Sequence, residues 1–226
     1  MILAAGYGKR IRPLTIDCPK PLLKIGEDTL LSNTIKFLQL SGIKQVVINV
    51  HYLGDKIIDY IKNNKFNLEI KIVQENEKIL DTGGGVLNAL QHFSNEPFVI
   101  INPDTIWSSN YLEELELIKN KFINNKKAKC ILLLVNKKKS FDKNIKGDFN
   151  LKNALVRREG KDNLKYIYTG LQIINPEVFS NIHDRVFSMN KVWDKLIKNE
   201  ELFALESNIS FLHVSTLDIY KKLNIK

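Results

Sequence analysis

The stretch that decides the fold is Met1–Leu23, MILAAGYGKRIRPLTIDCPKPLL. Its apolar start, Met1 to Ala5, reads as a buried strand that runs straight into Gly6 and Gly8, where the missing Cβ atoms let backbone N–H groups approach a ligand. Lys9, Arg10, Arg12 and Lys20 follow within the same loop, and cations there neutralise bound phosphate. Pro19 and Pro21 bracket Lys20 and stiffen its backbone, and Leu22-Leu23 resume a core pattern. The spacing is neither that of the ATPase phosphate loop nor the Gly-x-Gly-x-x-Gly of a dinucleotide fold. A strand that ends in a cationic glycine loop is the opening of an α/β protein with a phosphate site.

Downstream, strand-like and helical patterns alternate: helix over 29–40, strand over 45–50, helix over 53–63, strand over 68–74, a helix after Gly85, strand over 98–101, helix over 111–123 and strand over 128–135. Short crossovers between apolar strands predict a Rossmann-like three-layer α/β sandwich with a mostly parallel central sheet. Ligands then belong at the carboxyl ends of the strands. Residues 136–175 turn polar and then strand-like, which predicts a small β-rich insertion lying over the sheet. Beyond it come a helix near 191–199, short strands near 202–205 and 209–212, and a last helix opened by Ser215 with Asp218 in capping-box spacing. The 226 residues form one domain on this reading.

The formal charge is +9, with a sequence pI near 9.4. Excess lysine suits polyanions, but aromatic residues do not interleave with the basic runs, so no stacking platform for nucleic acid is expected. Cys18 and Cys130 form no Cys-x-x-Cys pair, and no apolar run approaches a membrane span. No secretory leader is seen either, and a reducing cytoplasm is the expected setting. Oligomeric state is left at monomer or small homo-oligomer.

Several further groups carry chemistry. Asp81-Thr82-Gly83-Gly84-Gly85 spends backbone entropy on three glycines, either for a flat ligand packed on bare backbone or for a turn; Asp81 either meets a base or sugar hydroxyl or caps the next helix. Asp104, in Asn102-Pro103-Asp104 after an apolar strand, is placed either to hold Mg²⁺ between phosphoryl oxygens or to cap a helix. The four histidines match no zinc spacing; His213 stands out for preceding a helix N-terminus, where anions are favoured. In the insertion, Arg157, Arg158, Glu159 and Lys161 are either solvated or close over an acceptor phosphate. Gly170 marks a bulge or a close sugar approach. Trp107 and Trp193 read as packing residues, with Asn190 and Asp194 as polar partners of a sugar.

The chain resembles the sugar-1-phosphate nucleotidyltransferases over essentially its whole length. The residues that carry this are Leu3-Ala-Ala-Gly-Tyr-Gly-Lys-Arg-Ile-Arg-Pro-Leu-Thr15 with Pro19-Lys-Pro-Leu-Leu23. Within the group, Asn49-Val-His-Tyr-Leu-Gly54, Leu80-Asp-Thr-Gly-Gly-Gly85, Asn102-Pro-Asp-Thr-Ile-Trp107 and Phe187-Ser-Met-Asn-Lys-Val-Trp-Asp194 are most similar to the short N-acetylmuramate-1-phosphate uridylyltransferases; mannose-1-phosphate guanylyltransferases are the runner-up. The resemblance implies that Leu3, Ala4, Ala5, Gly6, Gly8, Lys9 and Arg10 hold a nucleoside triphosphate, with Arg10 on the departing pyrophosphate. It implies that Lys20 bridges the two phosphates, that Asp104 binds Mg²⁺, and that Gln74, Asp81, Gly83 and Gly84 lie near the base and its sugar. Asn102, Arg158, Gly170, Asn190 and Asp194 are the implied sugar side. Two departures stand out. Pro103 replaces a small middle residue, and His213-Val-Ser-Thr216 occupies the place of an Asp-x-Gly-Thr element that supplies a second metal carboxylate. Either Asp104 suffices with waters and phosphates, with His213 as a candidate second ligand, or the chain is a nucleotide-sugar sensor with reduced chemistry. The length predicts a transferase without an appended β-helix.

Overall fold

Alternating burial of apolar side chains on both faces of the strands sets the architecture. The computed structural model describes residues 1–159 and 163–225; Lys161 lies outside the described residues. The chain runs β1 (Ile2–Leu3), β2 (Lys24–Ile25), β3 (Asp28–Thr29), α1 (Leu30–Leu40), β4 (Gln45–Val50), α2 (Gly54–Asn63), β5 (Glu69–Gln74), α3 (Asp81–Ala89) and β6 (Phe98–Ile101). It continues through α4 (Tyr111–Asn124), β7 (Cys130–Asn136), β8 (Asn150–Lys152), β9 (Leu155–Arg157), β10 (Tyr166–Ile174), α5 (Met189–Lys198), β11 (Leu202–Ser207) and α6 (Leu217–Asn224). Nine strands form one sheet in the order β5-β4-β1-β6-β10-β7-β11-β9-β8. β5, β4, β1 and β6 are parallel, as are β7 and β11, whereas β10 is antiparallel to both its neighbours.

β7 shows why the sheet is covered on both sides. Ile131 and Leu133 join one buried cluster with α1, α2 and α4, while Leu132 and Leu134 join another with α3 and α5. A strand buried on both faces has to be apolar throughout, as this one is. α1 begins at a reciprocal cap: Thr29 Oγ1 accepts from Ser32 N–H at 3.0 Å, and Ser32 Oγ accepts from Thr29 N–H at 2.9 Å.

Residues 136–175 do not form a separate insertion over the sheet. β8 and β9 extend the sheet edge beyond β11, and β10 lies between β6 and β7 at its centre. The physical reason is that Leu171, Ile173 and Ile174 are buried core residues, which a cover strand with one solvated face would not be. The last helix is also capped differently from the expectation. Thr216 Oγ1 accepts from Ile219 N–H, and the Ser215 hydroxyl instead donates to Asp142 at 2.7 Å. The segment 209–212 makes single bridges rather than a strand.

β1 has β4 on one side and β6 on the other. The chain leaves β1 toward β4 and later returns to pair β6 on its opposite edge. That is a topological switch point, and the crevice above it is where such sheets bind ligands.

Candidate active site

A cavity of about 390 Å³ opens above β1. Leu3, Ala4, Ala5, Gly6, Gly8, Lys9 and Arg10 line one side, and Lys20, Asn102, Pro103 and Asp104 line another; Asp81 and Thr82 also contribute. The structure therefore brings together the first loop, the strand-end aspartate and the start of α3.

The first loop is held from within. Gly8 takes a left-handed conformation with φ 62°, and its carbonyl accepts from the Thr15 hydroxyl at 2.9 Å and from Ile11 N–H at 3.0 Å. A Cβ at Gly8 would lie 3.0 Å from Thr15 Cγ2, so that glycine serves the loop itself. A Cβ at Gly6 would meet nothing within 4 Å, so bare backbone there faces open space. Ala4 N–H donates to Asn49 Oδ1 at 3.0 Å, Asn49 Nδ2 donates to Glu75 Oε1 at 2.7 Å, and Leu80 N–H donates to Glu75 Oε2 at 2.8 Å. This buried relay fixes the first loop against the segment that leads into α3. Asn49 and Glu75 had no role on sequence grounds; a polar residue interrupting the apolar run of β4 was the available signal.

Lys20 sits in a tight turn after Pro19, and its Nζ donates to Asp104 Oδ2 at 2.5 Å. His213 Nε2 lies 3.1 Å from the same oxygen, because Val214 N–H donates to the Asp104 carbonyl and the 211–214 segment zips against residues 104–106. Burial by itself would raise the Asp104 carboxyl pKa; the Lys20 charge, then His213, overcome it and hold the group well below the usual carboxylate range. Asp104 is an ionised oxygen donor at the cavity wall and suits a hard divalent cation. Among the described residues no group of three His, Cys, Asp or Glu side chains is arranged to hold a metal ion, so a cation at Asp104 would need phosphate oxygens and water to complete its shell.

His213 does not fit the role of second ligand. To coordinate through Nε2 the ring must carry its proton on Nδ1, and Nδ1 is buried without a partner. An unsatisfied buried donor costs about 1–3 kcal/mol, and ligating histidines almost always give that proton to an acceptor. His213 is thereby a polar neighbour of Asp104, with Nε2 3.1 Å from Oδ2.

The triple glycine is not a ligand platform. Gly83, Gly84 and Gly85 lie inside the first turns of α3, which begins at Asp81, earlier than the sequence pattern suggested. The Gly83 and Gly84 N–H groups both donate to the Phe187 carbonyl, at 2.9 and 3.0 Å. Added Cβ atoms would lie 2.3 Å from the Phe187 ring and 2.2 Å from the Arg185 carbonyl oxygen, and at Gly85 2.7 Å from Asn49 Nδ2. Gly83 and Gly84 admit the chain's own 185–187 segment, and Gly85 admits the Asn49–Glu75 pair. Asp81 does reach the cavity, and its carboxylate accepts from Thr82 N–H at 2.6 Å. Gln74 is exposed at the end of β5, outside the cavity lining.

On the other side, Arg158 bonds both Asp194 and Asn190 and lies over the Phe149 ring at 4.5 Å, so three predicted sugar-side residues do assemble, beyond the main cavity. Gly170, with φ 96°, packs on Asn102: an added Cβ would stand 2.9 Å from Asn102 Cβ. Trp107 and Trp193 are buried packing residues, with their indole N–H groups on the Asn102 carbonyl and Gln172 Oε1.

A nine-stranded mixed sheet with its cavity at the β1 switch point, a cationic glycine loop and a strand-end aspartate defines a nucleotide-binding transferase fold. Residues 1–143 match the nucleotidyl transferase family, and the chain belongs to it. It is similar to the N-acetylmuramate alpha-1-phosphate uridylyltransferase of Caulobacter vibrioides, with 28% identity across 95% of this chain and 90% of that protein. The protein of the same name from Neisseria meningitidis serogroup B is 30% identical across 80% of this chain and 77% of its own length. Mannose-1-phosphate guanylyltransferase 1 of Arabidopsis thaliana is 27% identical across 91% of this chain but only 58% of its own length. Among solved structures, a putative glucose-1-phosphate thymidylyltransferase from Bacillus anthracis superposes with a TM-score of 0.80 at 20% identity, over 99% of this chain and 92% of that one. The shared architecture is the nucleotide-diphospho-sugar transferase fold.

Proposed function

We propose that this protein joins UTP to N-acetylmuramate 1-phosphate, giving the nucleotide sugar and pyrophosphate. The observation that carries the reading is the Lys20–Asp104 pair at 2.5 Å, facing a cavity walled by the Ala4–Gly8 backbone. The attacking sugar phosphate is already an anion at neutral pH, so no general base is required. What the site has to supply is charge compensation between two anions and alignment of attacker, α-phosphorus and leaving oxygen. Gly6 offers unobstructed backbone, and Arg10 and Lys9 supply charge on the triphosphate side. Lys20, released from Asp104 as phosphates arrive, spans the reacting pair. Asp104 holds a divalent cation, Mg²⁺ on the donor chemistry, and that cation neutralises phosphoryl oxygens when bound.

Support for uracil and N-acetylmuramate comes from the two uridylyltransferases, which this chain spans over most of their length. A cytoplasmic role in peptidoglycan recycling follows from that choice, and among the described residues no helix is long and apolar enough to cross a membrane. Mannose-1-phosphate guanylyl transfer is the second reading, favoured by the plant relative. A nucleotide-sugar sensor is the third, motivated by His213 on Asp104. Pyrophosphate release, with and without Mg²⁺, across UTP and GTP against N-acetylmuramate, N-acetylglucosamine and mannose 1-phosphates separates all three. Metal-dependent release selective for UTP with N-acetylmuramate 1-phosphate is expected; nucleotide binding without release from any pair would move the protein to the sensor class.

A further inference from the structure

Beyond the cavity, on the side of the Arg158 cluster, an exposed turn carries a carboxylate that no motif singled out. Asp148 sits at the tip of a turn pinned on several sides. A Cβ at Gly147 would lie 2.2 Å from the Leu164 carbonyl oxygen, so only glycine lets the turn press this closely. Asp148 N–H and Phe149 N–H both donate to the Tyr166 carbonyl, at 2.7 and 3.1 Å, and Tyr168 N–H donates to Asp148 Oδ2 at 2.9 Å. One oxygen of the carboxylate is therefore spent on orientation, and the other has no protein donor among the described residues. The side chain is also outside every described ion pair.

Its position is set by β10. That strand runs antiparallel to β6 and β7, so its first residues, Tyr166 to Tyr168, stand at the carboxyl ends of those two strands. Two residues beyond Tyr168, Gly170 packs on the cavity residue Asn102. On the outer side Arg158 covers the adjacent Phe149 ring, but its guanidinium is already engaged by Asp194 and Asn190. Asp148 is exposed to solvent, and the Tyr168 N–H and the charges of Arg158 and His213 act on its carboxylate. A carboxylate fixed by Tyr168 N–H with one oxygen open, at the carboxyl ends of β6 and β7 and beside the Phe149–Arg158 contact, suits a hydroxyl or amide N–H donor.

We infer that Asp148 is a specificity-determining residue that accepts a hydrogen bond from a hydroxyl or acetamido N–H of the sugar. The inference rests on the nucleotide-sugar reading above and adds to it the residue that reads the sugar. Asp148→Asn is the informative change, because its amide oxygen still accepts from Tyr168 N–H while the second oxygen becomes a donor. Titration calorimetry of the full chain with UDP, UDP-N-acetylglucosamine and UDP-N-acetylmuramate, in wild type, Asp148→Asn and Asp148→Ala, reads the sugar's share of binding without requiring turnover. Affinity for UDP is expected to be unchanged, and affinity for at least one UDP-sugar to fall about tenfold or more, the scale of a hydrogen bond to a charged group. In turnover the KM for sugar 1-phosphate should rise and that for UTP should not. Equal losses for UDP and UDP-sugar, or no loss in Asp148→Asn, would overturn the assignment and leave Asp148 as a brace for β10. A wild type that binds no uridine nucleotide would refute the substrate choice instead, and the same series with GDP and GDP-mannose would then decide Asp148.

Discussion

Gly6 and Gly84 both stand on segments that line or flank one cavity, yet they use the same missing side chain in opposite ways. Bare backbone at Gly6 looks onto space wide enough for a ligand, whereas at Gly84 it is covered by the Arg185 carbonyl and spends its N–H on Phe187. A glycine cluster in sequence announces close approach without saying what approaches. On the proposed function the first loop receives an external anion, whereas the second receives a strap of the same chain.

The most damaging change should come at the lysine facing the first loop. Lys20→Ala removes the cation paired with the strand-end carboxylate, which on the proposed function also meets the incoming phosphates, and kcat/KM should fall by on the order of 10² or more, the scale of one lost transition-state contact. At about 1.4 kcal/mol per decade that is roughly 2.7 kcal/mol, and the loss in rate should exceed any loss in thermal stability. Wild-type turnover in this variant would remove Lys20 from the chemistry.

The second loop should respond in stability instead. On an exposed helix Gly→Ala gains up to about 1 kcal/mol; at Gly84 the new Cβ meets a backbone carbonyl at 2.2 Å, and overpacking of that kind costs about 1–3 kcal/mol. Gly84→Ala should therefore lower the denaturant midpoint while the folded fraction keeps its nucleotide affinity. Gly6→Ala should do the reverse, with an unchanged midpoint and nucleotide affinity reduced by on the order of fivefold, about 1 kcal/mol. If both variants lost affinity at constant stability, the contrast between the loops would be wrong.

The same contrast shows what the sequence made legible. β6 is readable because it is an uninterrupted apolar run, β4 because only Asn49 breaks its run from Val46 to Val50, and Lys20 because two prolines frame it. β10 was misplaced because a central antiparallel strand is as apolar as a parallel one, and its neighbours are chosen by pairing with β6 and β7 rather than by local pattern. Glu75 and Asp148 were invisible for a related reason. Each is an acid in a polar stretch, and what sets it apart is a partner far away in sequence, Asn49 in one case and Tyr168 in the other. Gly83 and Gly84 were noticed for their cost, but residues 185–187, which explain that cost, lie a hundred positions downstream.

His213 provides the smallest and most selective test, since it separates the phosphate-holding apparatus from the chain's own internal bonding within one pair of atoms. With His213 only beside Asp104, the proposed metal site has a single carboxylate, and divalent cations alone should barely move the melting temperature of the wild type. His213→Asp places a second carboxylate beside Asp104, set back from the Nε2 position, which lies 3.1 Å from Asp104 Oδ2. Repulsion should then destabilise the variant by up to about 1 kcal/mol in chelator. Added Mn²⁺ should reverse the sign, because a ligand at a hundred times its dissociation constant stabilises by about 2.7 kcal/mol. If the wild type were stabilised by Mn²⁺ or Co²⁺ without nucleotide as strongly as the variant, the imidazole would be a ligand after all, and its buried Nδ1–H would have found an acceptor that the present arrangement does not provide.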